Sequence, residues 1–242
     1  SLGAKSGEMI DGYVDDRDNH GIPIYTEEEL YSWIKAAHDH HMDVAVHAIG
    51  DLAFQKVCDA IYKAEQEAPW PDHRHGIVHA QTTSPALLRL MKVMGLQAYI
   101  QPIFIDADMH IIEERVGERR AKDCYNWKSM LDLGIHVSGG SDCPVEPFDV
   151  LDNVGAAITR KDRAGTKTYL PEQALTVEEA VRLFTSDAAW ASRDEGVRGT
   201  LELGRQGDLV VLDQDLFEID PDTFPQVKVL ETILNGNTVY RA

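Results

Sequence analysis

The chain has 242 residues, 43% of them hydrophobic, and a formal net charge of −18, which suits a globular protein with a sizeable core and one or two domains. The acidic balance argues against nucleic acid or an anionic membrane as partner, because phosphate binding needs clustered Lys and Arg. No run of about 18 apolar residues suggests a membrane span, the N-terminus does not read as a signal peptide, and Cys58, Cys124 and Cys143 are too few and too scattered for a disulfide framework, which fits a reducing cytoplasm.

Residues 1–25 are rich in Gly and Asp, show no clean period and read as a long loop, a feature that in compact domains is usually functional or incomplete. A helix follows, with Thr26 as N-cap, Glu29 completing a capping box and Leu30, Trp33, Ile34 and Ala37 on one face. Residues 43–48 read as a strand ending at His47 and 52–67 as a helix; Pro69 and Pro71 break the pattern. Residues 76–81 form a second expected strand, carrying His79 and Gln81. Ser84 and Pro85 open the next helix as N-cap and N1, and Gly95 ends it. A third strand is expected over 96–102, helices over 106–117 and 122–133, and a fourth strand over 135–141, where Gly139, Gly140 and Ser141 lead into Asp142. Another helix is expected near 150–160. Thr176 and Glu179 cap one that runs to about Ala191. Alternating strands and helices predict a parallel sheet with right-handed crossovers. From residue 199 the chain turns strand-rich, and Asn235-Gly236 between apolar runs predicts a hairpin.

His47 and His79 close the first two strands and Asp142 closes the last. Parallel strands point their C-terminal ends one way, so the three side chains can converge there. Two imidazoles and a carboxylate suit a divalent transition metal such as zinc. The metal would acidify a bound water, with Asp142 moving its proton. The other histidines read differently. His38 and His40 lie two residues apart, pointing about 200° away from each other on a helix, and His73 and His75 precede their strand. Both pairs read as solvated surface, and His110 and His136 as structural.

The segments His47–Asp51, His79–Gln81, Ile100–Pro102 and Gly139–Pro144, taken in this order and spacing, resemble the amidohydrolase superfamily, more closely its YtcJ-like branch, amidohydrolase family 3. The stretch Gly199–Asp213 is similar to the point where such proteins re-enter a small β-sandwich. The resemblance implies an α/β fold: the C-terminal half of a distorted (β/α)8 TIM barrel over 1–198, strands 5–8, and a C-terminal β-sandwich segment over 199–242. It implies His47 and His79 as metal ligands, Asp142 as catalytic carboxylate and metal ligand, and Gln81, Gln101 and Asp51 near the substrate. One or two divalent ions, most plausibly zinc, are expected in a full-length protein, with a small-molecule substrate.

The family's H-x-H after strand 1 and its strand-4 lysine or acid have no counterpart here, and Ser1-Leu2-Gly3-Ala4 looks like the loop after strand 4. The chain is therefore expected to be the C-terminal part of a longer enzyme, inactive and metal-poor alone and prone to self-association through exposed sheet edge. The expected activity is hydrolysis of a C–N, amide-type bond. Two alternatives stand beside it: a deaminase acting on a ring C=N, and a non-catalytic half-barrel serving binding or assembly.

Overall fold

In the computed structural model, which describes residues 1–242, strands and helices alternate from Glu27 to Gly139. The chain divides by packing into two units, Ser1–Ile100 with Phe104–Val137, and Gln101–Ile103 with Ser138–Ala242. The fold is α/β with a parallel sheet. No helix is long and apolar enough to cross a membrane.

The first unit opens its regular structure with α1 (Glu27–Asp39). The Thr26 hydroxyl accepts from the Glu29 amide at 3.2 Å and the Glu29 carboxylate accepts from the Thr26 amide at 2.9 Å, the expected reciprocal cap. Then come β1 (Ala45–Ala48), α2 (Asp51–Glu67), β2 (Gly76–His79), α3 (Pro85–Val93) and β3 (Gln97–Ile100). Ser84 caps α3 with Pro85 inside its first turn. β1, β2 and β3 pair in parallel, and a fourth short strand, β4, spans Val137–Gly139. Gly76 is required by this pairing: a Cβ there would lie 2.6 Å from the Gln97 side chain and from the Tyr99 ring. Phe54, Ile61, Ile77, Met91, Ile100 and Trp127 are fully buried, each stabilising the fold by about 1.5–3 kcal/mol relative to exposure.

The long N-terminal loop contains no helix, yet it is packed. Leu2, Met9 and Tyr13 are wholly buried. The Glu8 carbonyl accepts from the amides of Leu52 and Ala53 at 3.1 and 3.3 Å, and so caps α2, which has no side-chain cap of its own. Gly50 makes room for this: a Cβ there would stand 2.0 Å from the Glu8 oxygen. Further along, the Arg120 guanidinium donates to the carbonyls of Asp11, Gly12 and Val116 at 2.6, 2.8 and 2.8 Å.

Several expectations are corrected. The helix expected over 106–117 is two pieces, α4 (Ile105–Asp108) and α5 (Ile112–Ala121), the second broken by Gly117 at φ 79. The helix expected over 122–133 is only α6 (Trp127–Asp132), because residues 123 and 125 bond instead to Thr83 and Gln81 in the segment after β2. Trp33 is 67% exposed and leaves the buried face of α1 to Ile34. Of the histidines read as solvated surface, His38 and His75 are 1% and 0% exposed, and the His73 side chain is 6% exposed. His73 and His75 stack at 4.5 Å between ring centroids, and Trp70 meets His38 and His75 edge-on. Only His40 and His41 face solvent.

In the second unit, α7 (Val150–Thr159) packs against the 3-10 turn Pro221–Gln226, with Phe224 fully buried over Gly155. α8 (Val177–Leu183) carries the Thr176–Glu179 capping box, and the chain breaks at Phe184 and Thr185 before α9 (Ser186–Ala191), two helices where one was expected. β5 (Leu209–Leu212), β6 (Val229–Leu234) and β7 (Asn237–Arg241) form an antiparallel sheet. Asn235 and Gly236 turn the hairpin at φ 50 and 76, both left-handed, as the tight turn between β6 and β7 demands.

Candidate functional site

β1 and β2 both carry a histidine at their C-terminal ends. The register pairs His47 with Val78 and Ala48 with His79. Paired residues share a face of the pleat, so two regular strands would send these imidazoles to opposite faces. They meet instead, edge to face, with ring centroids 4.5 Å apart and planes at 80°. The departure lies at His79, whose φ is 73, followed by Ala80 at φ 45. Two successive left-handed residues with side chains are strained, and they turn the end of β2 out of the pleat.

His79 is 5% exposed and stacks on Phe104, with ring centroids 5.7 Å apart. His47 is exposed and borders a cavity of about 510 Å³ lined by Ile22, Tyr25, Leu30, Val46 and Ile49 among others. Thus one ring is held by packing and the other borders the cavity. The Thr82 amide donates to the Ile49 carbonyl at 2.9 Å, tying the two strand ends together beyond the histidines.

Gln81 is 1% exposed, and its side-chain amide donates to the Asp108 carboxylate, which also accepts from the Tyr125 hydroxyl at 2.6 Å. Burial pushes the Asp108 carboxyl above its ordinary range, and the bonds from Tyr125 and Gln81 act against that. Asp51 is the first residue of α2, and its Oδ1 accepts from the Ile10 amide at 2.9 Å, so this oxygen serves the N-terminal loop. Gln101 and Asp142 belong to the second unit. Gln101 is 7% exposed. Asp142 is exposed, sits at φ 58, and its carbonyl accepts from the Val145 amide at 2.8 Å to open a turn.

Asp108 and Tyr125 were absent from the sequence reading. Asp108 lies in the short helix α4 that follows β3, and no local signal in the sequence marks it. Nothing local marks Tyr125.

The His47–His79 pair offers two imidazole side chains of the kind zinc and its neighbours take. A catalytic zinc needs three protein ligands, and no group of three or more His, Cys, Asp or Glu side chains is gathered in this chain to hold a metal ion. The donors fit a divalent metal in kind and fall short of one in number.

The model of the amidohydrolase family matches residues 1–240. The Bacillus subtilis (strain 168) protein YtcJ, which carries an amidohydrolase name, is 34% identical over 242 residues, 99% of this chain and 45% of its own length. N-substituted formamide deformylase of Arthrobacter pascens is 27% identical over 217 residues, 89% of this chain and 40% of its own. The crystal structure of an uncharacterized metal-dependent hydrolase from Pyrococcus furiosus matches at a TM-score of 0.78 and 31% identity, covering 90% of this chain and 43% of that one. The chain spans less than half the length of these relatives. With strand-end histidines of the expected kind and a family match over nearly every residue, the chain belongs to the amidohydrolase family.

Proposed function

We propose that this stretch supplies part of the active site of a metal-dependent hydrolase acting on C–N, amide-type bonds. The observation that carries the proposal is the contact of His47 with His79 at the ends of adjacent parallel strands in a chain matched by the amidohydrolase family. β1 to β4 would be strands 5–8 of a (β/α)8 barrel over residues 1–198, and β5 to β7 part of a small β-sandwich over 199–242. His47 and His79 would hold a divalent ion, zinc by donor type, with the remaining ligands contributed by residues of other strands. Such an ion supplies a water acidic enough to attack a carbonyl near neutral pH.

The chain's own residues would do the rest. Asp142, at the end of β4, would accept a proton from the attacking water and pass it to the leaving nitrogen. Burial and stacking on Phe104 keep His79 in one orientation, and Gln81, Gln101 and Asp51 would line the substrate side. An amide-type substrate agrees with the deformylase name of one relative.

The test uses the intact gene product. Metal content and hydrolysis of N-substituted formamides are measured for the wild type and for His47→Ala, His79→Ala and Asp142→Asn. Both histidine variants are expected to lose metal and activity together, and Asp142→Asn to keep at least one ion while losing activity by 10²-fold or more, roughly the contribution of a general base. Full activity with metal retained in His47→Ala would refute the ligand assignment. Turnover of ring amidines but not formamides would favour the deaminase alternative.

A further inference from the structure

We propose that Asp108 is a positioning residue that locks the left-handed end of β2 and so aims the His79 ring at His47. The arrangement is a closed triangle. Gln81 lies two residues beyond His79; its side-chain amide donates to Asp108 Oδ2. Its backbone carbonyl accepts from the Tyr125 amide at 3.0 Å. The Tyr125 hydroxyl returns to the same Asp108 oxygen at 2.6 Å.

Gln81 is therefore gripped by its side chain and its backbone at once, from two segments distant in sequence. Such a grip is needed here because His79, Ala80 and Tyr125 all sit at positive φ, 73, 45 and 56, where side-chain-bearing residues persist only if their surroundings over-determine them. Released from Asp108, β2 would relax toward a regular pleat, and the register would carry the His79 ring to the face away from His47. Phe104, which stacks on His79, lies one turn before Asp108 on the same stretch. A single segment thus supports the ring and clamps the loop that carries it.

Both bonds enter one carboxylate oxygen. A neutral amide can present an oxygen at that position, so the negative charge is dispensable and the acceptor is not. The inference concerns how His79 is placed; only its catalytic meaning rests on the function proposed above.

The experiment follows the His47 and His79 imidazoles in the intact gene product, labelled with ¹⁵N at histidine and free of metal, by the nuclear Overhauser effect between the two rings. Asp108→Leu is expected to abolish the inter-ring effect, and Asp108→Asn to preserve it. Tyr125→Phe, which keeps the ring and removes one donor, is expected to weaken it, and it serves if Asp108→Leu does not fold. Zinc affinity, measured by chelator competition, is expected to fall by about 10- to 100-fold in Asp108→Leu, as for lost supports of metal-binding histidines, and by less than threefold in Asp108→Asn. An unchanged inter-ring effect in a folded Asp108→Leu, or in Tyr125→Phe if the former does not fold, overturns the inference. So does equal loss in Asp108→Asn and Asp108→Leu. If the inter-ring effect behaves as expected while the wild type binds no zinc, the positioning role stands and the hydrolase reading falls.

Discussion

His38 Nδ1 lies 2.9 Å from His75 Nε2 in a buried contact between α1 and the entrance to β2. The neighbouring backbone fixes who donates. The Val44 amide donates to His75 Nδ1 at 3.1 Å, so His75 carries its proton on Nε2 and donates it to His38 Nδ1. His38 must then carry its proton on Nε2, and it meets the Ala68 carbonyl at the end of α2, 2.6 Å away. Four segments are joined through these two imidazoles.

Acid is expected to loosen this corner through His73, which stacks on His75. Burial lowers the His73 pKa, with the Glu65 carboxylate acting in the opposite sense. A base whose folded pKa lies below its unfolded value favours folding above the unfolded value, near 6.5 for His. That stability is lost as the pH falls below there, because the unfolded chain takes up the proton first. Glu65, 3.6 Å from His38 and 3.7 Å from His73, Asp39 beside His38 and Asp43 beside His73 are the carboxylates that moderate the loss. Urea midpoints measured from pH 8 to pH 5 should fall below about pH 6.5 in the wild type and fall less in His73→Phe. Parallel curves would contradict the assignment.

Gly50→Ala should destabilise the protein. The added methyl would stand 2.0 Å from the Glu8 carbonyl oxygen, so either the loop or the start of α2 must move. Overpacking of this kind costs about 1–3 kcal/mol. A thermal melt reads the loss; an unchanged midpoint would mean that the Glu8 carbonyl does not cap the helix in solution.

Ala80→Gly should act in the other direction. At φ 45 the alanine bears a left-handed backbone that costs a side-chain-bearing residue about 1–2 kcal/mol, and glycine escapes it while giving back part of the gain in unfolded-state entropy. A net gain of about 0.5–1 kcal/mol in unfolding free energy is expected, read as a higher denaturant midpoint. A fall would show that the Ala80 methyl, fully buried, contributes more by packing than its backbone loses.

The 242-residue chain by itself should self-associate. β1 lies at the end of the sheet order with Ala45 and His47 exposed, and β5 to β7 expose Val210, Val239 and Tyr240 at 56%, 59% and 51%. Open strand edges and apolar sheet faces recruit further chains. Light scattering should give a mass above 27.0 kDa, lowered by Ala45→Lys; a monomer at working concentration would refute it.

Local chemistry was legible in the sequence. Both capping boxes, the Ser84-Pro85 helix start, the Asn235-Gly236 turn and the strands ending at the two histidines follow from residues within a few positions of each other, and the structure has them all. What escaped depends on partners far along the chain. His38 and His75 are 37 residues apart, and their burial is decided by how α1 meets β2, which no helical period records. The Gly117 break was open to a sequence reading in principle, since glycine is a weak helix residue. Residues 123 and 125 left the expected helix because Thr83 and Gln81, just past β2, claimed their backbone groups, and this is the same contact that places Tyr125 beside Gln81.

The Arg120 guanidinium closes a long stretch of chain, which bears on the order of folding. It satisfies the carbonyls of Asp11 and Gly12 from 109 and 108 residues away. A growing chain exposes those carbonyls long before the side chain that meets them has been made. Contacts of such sequence separation form late, because the intervening loop must first be closed. The segment that caps α2 is therefore expected to dock after the β1–β2–β3 pairing, whose partners lie closer in sequence.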